Sequence, residues 1–149
     1  MRASRQLLLP GLLAACLSAS AHERPGDETD GTRVDAGVTA VASRDWPSGA
    51  AGKLRVVVVA QGFEHVSSRV VAQWLVQSDA AGAAWTIASS RTLVEPGFLA
   101  IGAPRLDVHG GAVRVELEGA HTYQPGLDVA CAFDLLPDGD VRVVRACGD

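Results

Sequence analysis

One stretch of the sequence decides the fold class: Ala112-Val113-Arg114-Val115-Glu116-Leu117-Glu118. Apolar and charged residues alternate along it, with valine or leucine at every second position. Successive side chains of a β-strand point to opposite faces of the sheet, so this pattern is typical of a strand with one buried face and one solvated face. The sequence therefore predicts a strand at 112–118.

Further strands are predicted on both sides of this stretch. Leu54-Arg55-Val56-Val57-Val58-Val59-Ala60 is β-branched and apolar on both faces, as in a central strand. Residues 66–77 fit both a strand and a helical stripe, and their valine and tryptophan content favours the strand. Strands separated by regular turn signals predict an all-β fold, a small antiparallel sandwich or barrel-like domain. The alternative is an α+β fold with one helix near residues 66–77.

The first 21 residues have the three parts of a secretory signal. Arg2 and Arg5 supply the positive charge, and an apolar stretch follows at 7–15. That stretch is too short to span a bilayer, which takes about 20 apolar residues. Small residues then provide a cleavage region, so the sequence predicts an exported protein.

Two cleavage positions are present in this region. Leu13-Ala14-Ala15-Cys16 resembles the lipobox of bacterial lipoproteins. The resemblance implies cleavage before Cys16, lipidation of its sulfur and anchorage to a membrane, because each buried CH₂ contributes about 0.8 kcal/mol. Leu17 implies, by the same resemblance, sorting to the outer membrane on its periplasmic side. The alternative is Ala19-Ser20-Ala21, a site that releases a soluble periplasmic or secreted protein beginning at His22.

The chain is thereby divided into three parts. Residues 1–15 form the signal peptide, or 1–21 under the alternative cut; residues 16–33 form the lipidated cysteine and a tether; residues 34–149 form a single β-rich domain. The tether is predicted to be disordered because residues 22–33 contain no large apolar side chain to offset the entropy of ordering.

Export also bears on the cysteines. Lipidation or cleavage removes Cys16 from the count and leaves Cys131 and Cys147. The two lie at odd positions of apolar runs that flank a turn signal, Leu136-Pro137-Asp138-Gly139-Asp140, so both fall on one face of a predicted hairpin. We predict a disulfide between them, because disulfides persist outside the cytoplasm; the alternative is two buried free thiols.

Charge and missing motifs restrict the function. The net charge is −4, and loss of the two signal arginines leaves 11 basic residues against 17 acidic ones, a net charge of −6. An acidic chain without a Lys/Arg cluster argues against nucleic-acid binding. The sequence has no nucleophile elbow, P-loop, dinucleotide fingerprint, C-x-x-C or H-E-x-x-H. It therefore favours a non-catalytic protein without a cofactor, with a small hydrolase of unrecognised type as an alternative.

Histidines offer a second alternative, a periplasmic copper or zinc protein. The candidates are His22, His65, His109 and His121, none of which has ligand spacing in the sequence. Glu64-His65 with Ser67 or Ser68 resembles a base beside a nucleophile, but sequence neighbours on a strand face opposite ways, so a polar loop is favoured.

Tryptophans are the remaining candidates for a binding surface. Trp46 precedes Pro47 in a loop and is predicted to be a contact residue. Trp74 and Trp85 share the parity of apolar strand neighbours and are predicted to lie in the core. The leading hypothesis is a cell-envelope binding or accessory module that offers a sheet face or loops to a protein or glycan partner. The sequence carries no signal for an oligomeric state.

Overall fold

The computed structural model describes residues 35–77 and 83–148. Within these ranges the chain forms nine strands and one short 3-10 turn. The elements are β1 Val38–Asp45, the 3-10 turn Pro47–Gly49, β2 Lys53–Gln61, β3 Ser67–Gln77, β4 Trp85–Val94, β5 Leu99–Ile101, β6 Arg105–His109, β7 Ala112–His121, β8 Asp128–Leu135 and β9 Val141–Arg145. The predicted signal, Cys16, the tether and His22 lie outside the described residues.

The strands form two antiparallel sheets. One sheet has the order β1-β2-β3-β4. In the other, β5 and β6 pair with successive parts of β7, which is followed by β8 and β9. The predicted all-β antiparallel class is confirmed. Residues 67–77 form a strand, so the alternative fold with a helix near 66–77 is wrong.

Alternating side chains of both sheets make the core. Val113, Val115 and Leu117 are fully buried, as the 112–118 pattern predicts. They belong to the same apolar cluster as Leu54, Val56 and Val58 of β2. The pairing of facing apolar rows is the expected outcome of two amphipathic sheets that must cover each other.

A disulfide joins Cys131 to Cys147, which confirms the predicted bridge. Cys131 lies on β8 opposite Leu117 of β7, and both side chains are fully buried. Cys147 follows the end of β9 and packs against the core. The bridge therefore holds the C-terminal segment on the sandwich after strand pairing has ended.

Two adjacent buried residues of β3 explain why its sequence fits two patterns. β3 pairs with β2 without a register shift, so Trp74 and Leu75 point to opposite faces of the sheet. Both are nonetheless buried, Trp74 within the core cluster and Leu75 outside it, which gives the sequence its adjacent apolar pair and its apparent helical stripe. The register shift beside them places the extra residue, Ala88, on β4.

The tryptophans differ from the prediction at two positions. Trp46 is only 6% exposed and stacks on Trp74 with ring centroids 6.4 Å apart, so it is part of the core instead of a contact surface. Trp85, predicted to be core, is half-buried, and the Lys53 ammonium lies 4.4 Å from its ring centroid. The difference arises because the turn after β1 folds Trp46 inward, whereas Trp85 begins β4 near the end of the sheet.

A row of alternating charges crosses the solvated face of the five-stranded sheet. Strand pairing places Asp107 beside Arg114, Arg114 beside Asp134, and Asp134 beside Arg142. Arg114 donates two hydrogen bonds to the Asp134 carboxylate, at 2.8 and 2.9 Å. These bonds and the neighbouring positive charges lower the pKa of Asp134 below its ordinary value. The same bonds, together with the negative charges of Asp134 and Glu116, raise the pKa of Arg114.

We expect Asp134→Asn to flatten the acid limb of the stability curve. Because the folded-state pKa of Asp134 is lowered, its contribution is present above the unfolded carboxyl pKa of about 3.9 and is lost as the pH falls through the folded value. Urea unfolding between about pH 2 and pH 6 measures this. Asp107→Asn is the control, because that carboxylate is exposed and lies 4.0 Å from its Arg44 partner. Equal slopes for wild type and Asp134→Asn would contradict the assignment.

β9 is the last strand of its sheet, and it exposes Val143 and Val144 between Arg142 and Arg145.

Among residues 35–77 and 83–148 there is no helix whose length and hydropathy would suit a membrane crossing.

Candidate functional site

Three loops meet at one end of the sandwich: residues 62–66 between β2 and β3, 95–98 between β4 and β5, and 122–127 between β7 and β8. Strand register brings them together, because the last residue of β7, His121, pairs with the first residue of β5, Leu99. We call this surface the aromatic end. The opposite end carries the 3-10 turn and the turn between β8 and β9.

Four rings of the aromatic end contact one another. Tyr123 lies at the centre, with centroids 4.7 Å from His65, 6.0 Å from Phe98 and 6.3 Å from His121. Phe98 and His121 are nearly parallel at 5.8 Å. The rings on Tyr123 are tilted or edge-on, which are favoured geometries for aromatic pairs. The cluster thus links all three loops through side-chain contacts.

The aromatic side chains of this end, including Phe63 outside the cluster, are unusually open to solvent. Phe63 is 97% exposed, Phe98 63% and Tyr123 51%. Val66 and Leu127 add two half-exposed aliphatic side chains in the same loops. Single exposed apolar residues are common on proteins, whereas several in neighbouring loops are typical of an interaction surface.

Backbone hydrogen bonds fix two of the loops to each other. The Phe98 carbonyl accepts bonds from the Thr122 backbone N–H at 2.7 Å and from its hydroxyl at 3.0 Å. The His121 N–H donates to Leu127 O at 2.9 Å, which closes the 122–127 loop. The Tyr123 N–H donates to Nδ1 of His121 at 3.2 Å, so this ring nitrogen serves as an acceptor. The rings are therefore presented by a preorganised backbone.

Ser67 and Ser68, at the start of β3, anchor the connection between β4 and β5. The Ser67 hydroxyl accepts the Gly97 N–H at 3.1 Å, and the Ser68 hydroxyl accepts the Ile101 N–H at 2.8 Å. Both serines are buried. Their hydroxyls hold the crossover between the two sheets and do not face solvent beside Glu64-His65, so they act as positioning residues for the aromatic end.

Gly62 sets the projection of Phe63. Its φ is +106°, and a Cβ at this position would crowd the His65 carbonyl. Both constraints favour glycine. The tight turn that follows places Phe63 at the tip of its loop, which accounts for its near-complete exposure.

No family model, curated protein or solved structure matches this chain. The site is therefore characterised by its own residues. Among the described ranges, no three His, Cys, Asp or Glu side chains are grouped so as to hold a metal ion. His65 and His121 both contact Tyr123, whereas His109 pairs with Ala112 at the opposite end, and His22 lies outside the described residues.

A shallow depression of about 360 Å³ adjoins this end on the five-stranded sheet. It is lined by Glu118, Gly119, Asp128, Val129 and Ala130. Glu118 accepts a hydrogen bond from Arg105 at 2.8 Å. Small residues form the floor, so the depression adds area to the surface without adding a deep cleft.

Three ring residues of the site were not identified from the sequence: Phe63, Phe98 and Tyr123. Each lies within a turn signal, in Gly62-Phe63, Pro96-Gly97-Phe98 and Tyr123-Gln124-Pro125-Gly126. An aromatic residue inside a Gly/Pro turn has no strand neighbours to cover it. That combination, repeated three times, is the signal that indicates an exposed aromatic surface.

Proposed function

We propose that this protein is a non-catalytic binding or accessory lipoprotein of the bacterial cell envelope. In this proposal Cys16 carries the lipid, residues 17–33 form the tether, and the β-domain contacts another envelope component through its aromatic end. The observation that carries the proposal is the group of exposed rings on three loops of a disulfide-linked sandwich. A preorganised apolar surface lowers the entropic cost of association.

The anchor is tested by the intact mass and N-terminal peptide of the mature protein purified from membranes. We expect an acylated Cys16 at the N-terminus, because the thiol and the small residues before it match the lipobox. A soluble protein that begins at His22 would contradict the anchor and would make copper binding by the new terminus the next experiment.

The contact surface is tested with envelope fragments and a mature chain carrying Cys16→Ser, so that acyl chains do not mask the interaction. We expect Phe98→Ala/Tyr123→Ala to weaken association with the fragments about tenfold or more, since two ring contacts are lost. Val41→Ala/Val143→Ala is the matched control, because these side chains are 51% and 63% exposed but belong to β1 and β9. Equal association of all three chains would exclude the aromatic end as the contact surface.

A further inference from the structure

We infer that the envelope component contacted by the aromatic end is the lipid bilayer itself, with Phe63 and Phe98 inserted at headgroup depth. This inference rests on the lipid anchor of the proposed function. It assigns a second, weaker membrane contact that orients the domain, where the acyl chains alone would only retain it.

Exposed aromatic side chains are confined to one end of the described domain. Among the described residues, the exposed large apolar side chains on strands are all valines, dispersed over several strands. The three exposed aromatic residues all lie at the aromatic end, together with Val66 and Leu127. Apolar groups at the tips of neighbouring loops can all enter one flat surface such as a bilayer. Binding in a protein groove would not require them to be spread over several loop tips.

The polypeptide enters the described domain beside the Phe63 loop. β1 begins at Val38 opposite Val59, and the Ala60 N–H donates to Gly37 O at 2.8 Å. The first described residues therefore lie beside the end of β2, which leads directly into the Phe63 loop. The chain joins the sandwich at the aromatic end and not at the opposite one.

Few residues separate the proposed lipid from the described domain. Eighteen residues, 17–34, separate Cys16 from the described domain. A flexible chain of that length spans about 25 Å on average. A lipid on Cys16 thus holds the bilayer close to the aromatic end, and the short tether gives the loops a high effective concentration at that surface.

Residue chemistry limits how deeply the loops enter. Tyrosine, such as Tyr123, is enriched at membrane interfaces, and phenylalanine is typical of the apolar side chains that insert at the headgroup boundary. The loop backbones contain N–H and C=O groups outside any strand ladder, which excludes them from the hydrocarbon core. Phe63 and Phe98 consequently reach the headgroup boundary while the strands remain in water.

Charge selects the kind of bilayer. The loops at 62–66, 95–98 and 122–127 contain Glu64 and Glu95 and no lysine or arginine. Both carboxylates are exposed. An anionic surface would repel them, so the aromatic end favours zwitterionic headgroups. This preference is the reverse of that shown by basic membrane-binding segments.

The test uses the lipidated mature protein reconstituted into phosphatidylethanolamine/phosphatidylcholine vesicles, with tryptophan reporters at Phe63→Trp and Val143→Trp. Lipid brominated in its upper acyl chain quenches only an indole near the headgroup boundary. We expect the Phe63→Trp emission, after subtraction of wild-type signal, to fall at least twofold. The Val143→Trp emission should be unchanged, although Val143 is also an exposed surface site. Equal quenching of the two reporters would overturn the inference.

A charge-matched pair of variants provides the second measurement. Replacing a third of the lipid by phosphatidylglycerol should reduce the quenching of Phe63→Trp, and Glu64→Gln/Glu95→Gln should restore it. Asp138→Asn/Asp140→Asn changes the net charge equally in the turn at the opposite end and should not restore it. Restoration by both pairs, or by neither, would contradict the charge argument.

Failure of this inference is distinguishable from failure of the proposed function. Absence of quenching with pure lipid, together with aromatic-dependent binding to envelope fragments, would identify a protein or glycan as the partner. Loss of both would overturn both proposals. A mature protein that begins at His22 would overturn this inference together with the anchor on which it rests.

Discussion

Removing the disulfide is expected to lower the free energy of unfolding by about 3 kcal/mol in the chain-entropy model, because the bridge closes a loop of 16 residues in the unfolded chain. Cys147→Ala is the cleaner variant, since Cys147 is only partly buried and leaves Cys131 in the core. A loss of this size is a large share of the 5–15 kcal/mol typical of a domain, and it lowers Tm by on the order of 10 °C or more.

The measurement is urea unfolding of Cys147→Ala beside reduced wild type. The two should agree closely, because both lack the bond and retain the Cys131 sulfur. Cys131→Ala should lose more, since its fully buried sulfur also fills space beside Leu117. If the free energy of unfolding of Cys147→Ala fell within about 1 kcal/mol of that of oxidised wild type, the loss would be well below the expected value. Strand pairing alone would then hold the C-terminal segment.

Gly119→Ala is expected to have a comparable effect for a different reason. Gly119 of β7 pairs with Ile101 of β5, and a Cβ there would overlap the Ala100 carbonyl and crowd the Ile101 backbone. The obstructing atoms are backbone, so relief requires β5 to leave β7. Overpacking of this kind costs about 1–3 kcal/mol, and we expect the upper end.

Gly102→Ala is the matched control. Gly102 directly follows β5, and its added Cβ would make only an ordinary 3.5 Å contact with Glu118 O of β7. It should change stability by less than about 0.5 kcal/mol. Gly119→Ala should also weaken membrane contact, since Phe98 directly precedes β5. An unchanged unfolding midpoint for Gly119→Ala would mean that β5 is not held as closely to β7 as the structure has it.

Much of the fold follows from local sequence pattern. The 112–118 alternation predicts a strand from its period of two, and the 54–60 run predicts one from its β-branched, apolar composition. The cysteine pairing follows from shared parity on a hairpin. Parity predicted the wrong burial for Trp85, because its position at the start of β4 leaves it half-buried. Parity does not apply to Trp46, because the 3-10 turn that follows this residue decides its burial.

The aromatic end is harder to predict for a physical reason. His65, Phe98 and Tyr123 are distant in sequence and meet only because β5 crosses between sheets and pairs with the end of β7. Sequence indicates that each lies in a turn, but not that the three turns share one end. For the same reason the sequence does not indicate which of the four histidines lie near one another: His65 and His121 both reach Tyr123 only through the topology of the strands.

The exposed edge formed by β9 has a consequence for the membrane-anchored protein that we propose. Lipid-anchored proteins are concentrated in two dimensions, where an edge strand with two outward valines is a template for edge-to-edge aggregation. Arg142 and Arg145 flank those valines. A second copy approaching antiparallel to the same edge would bring its own arginines against them, and this like-charge repulsion opposes formation of a continuous sheet between neighbouring molecules.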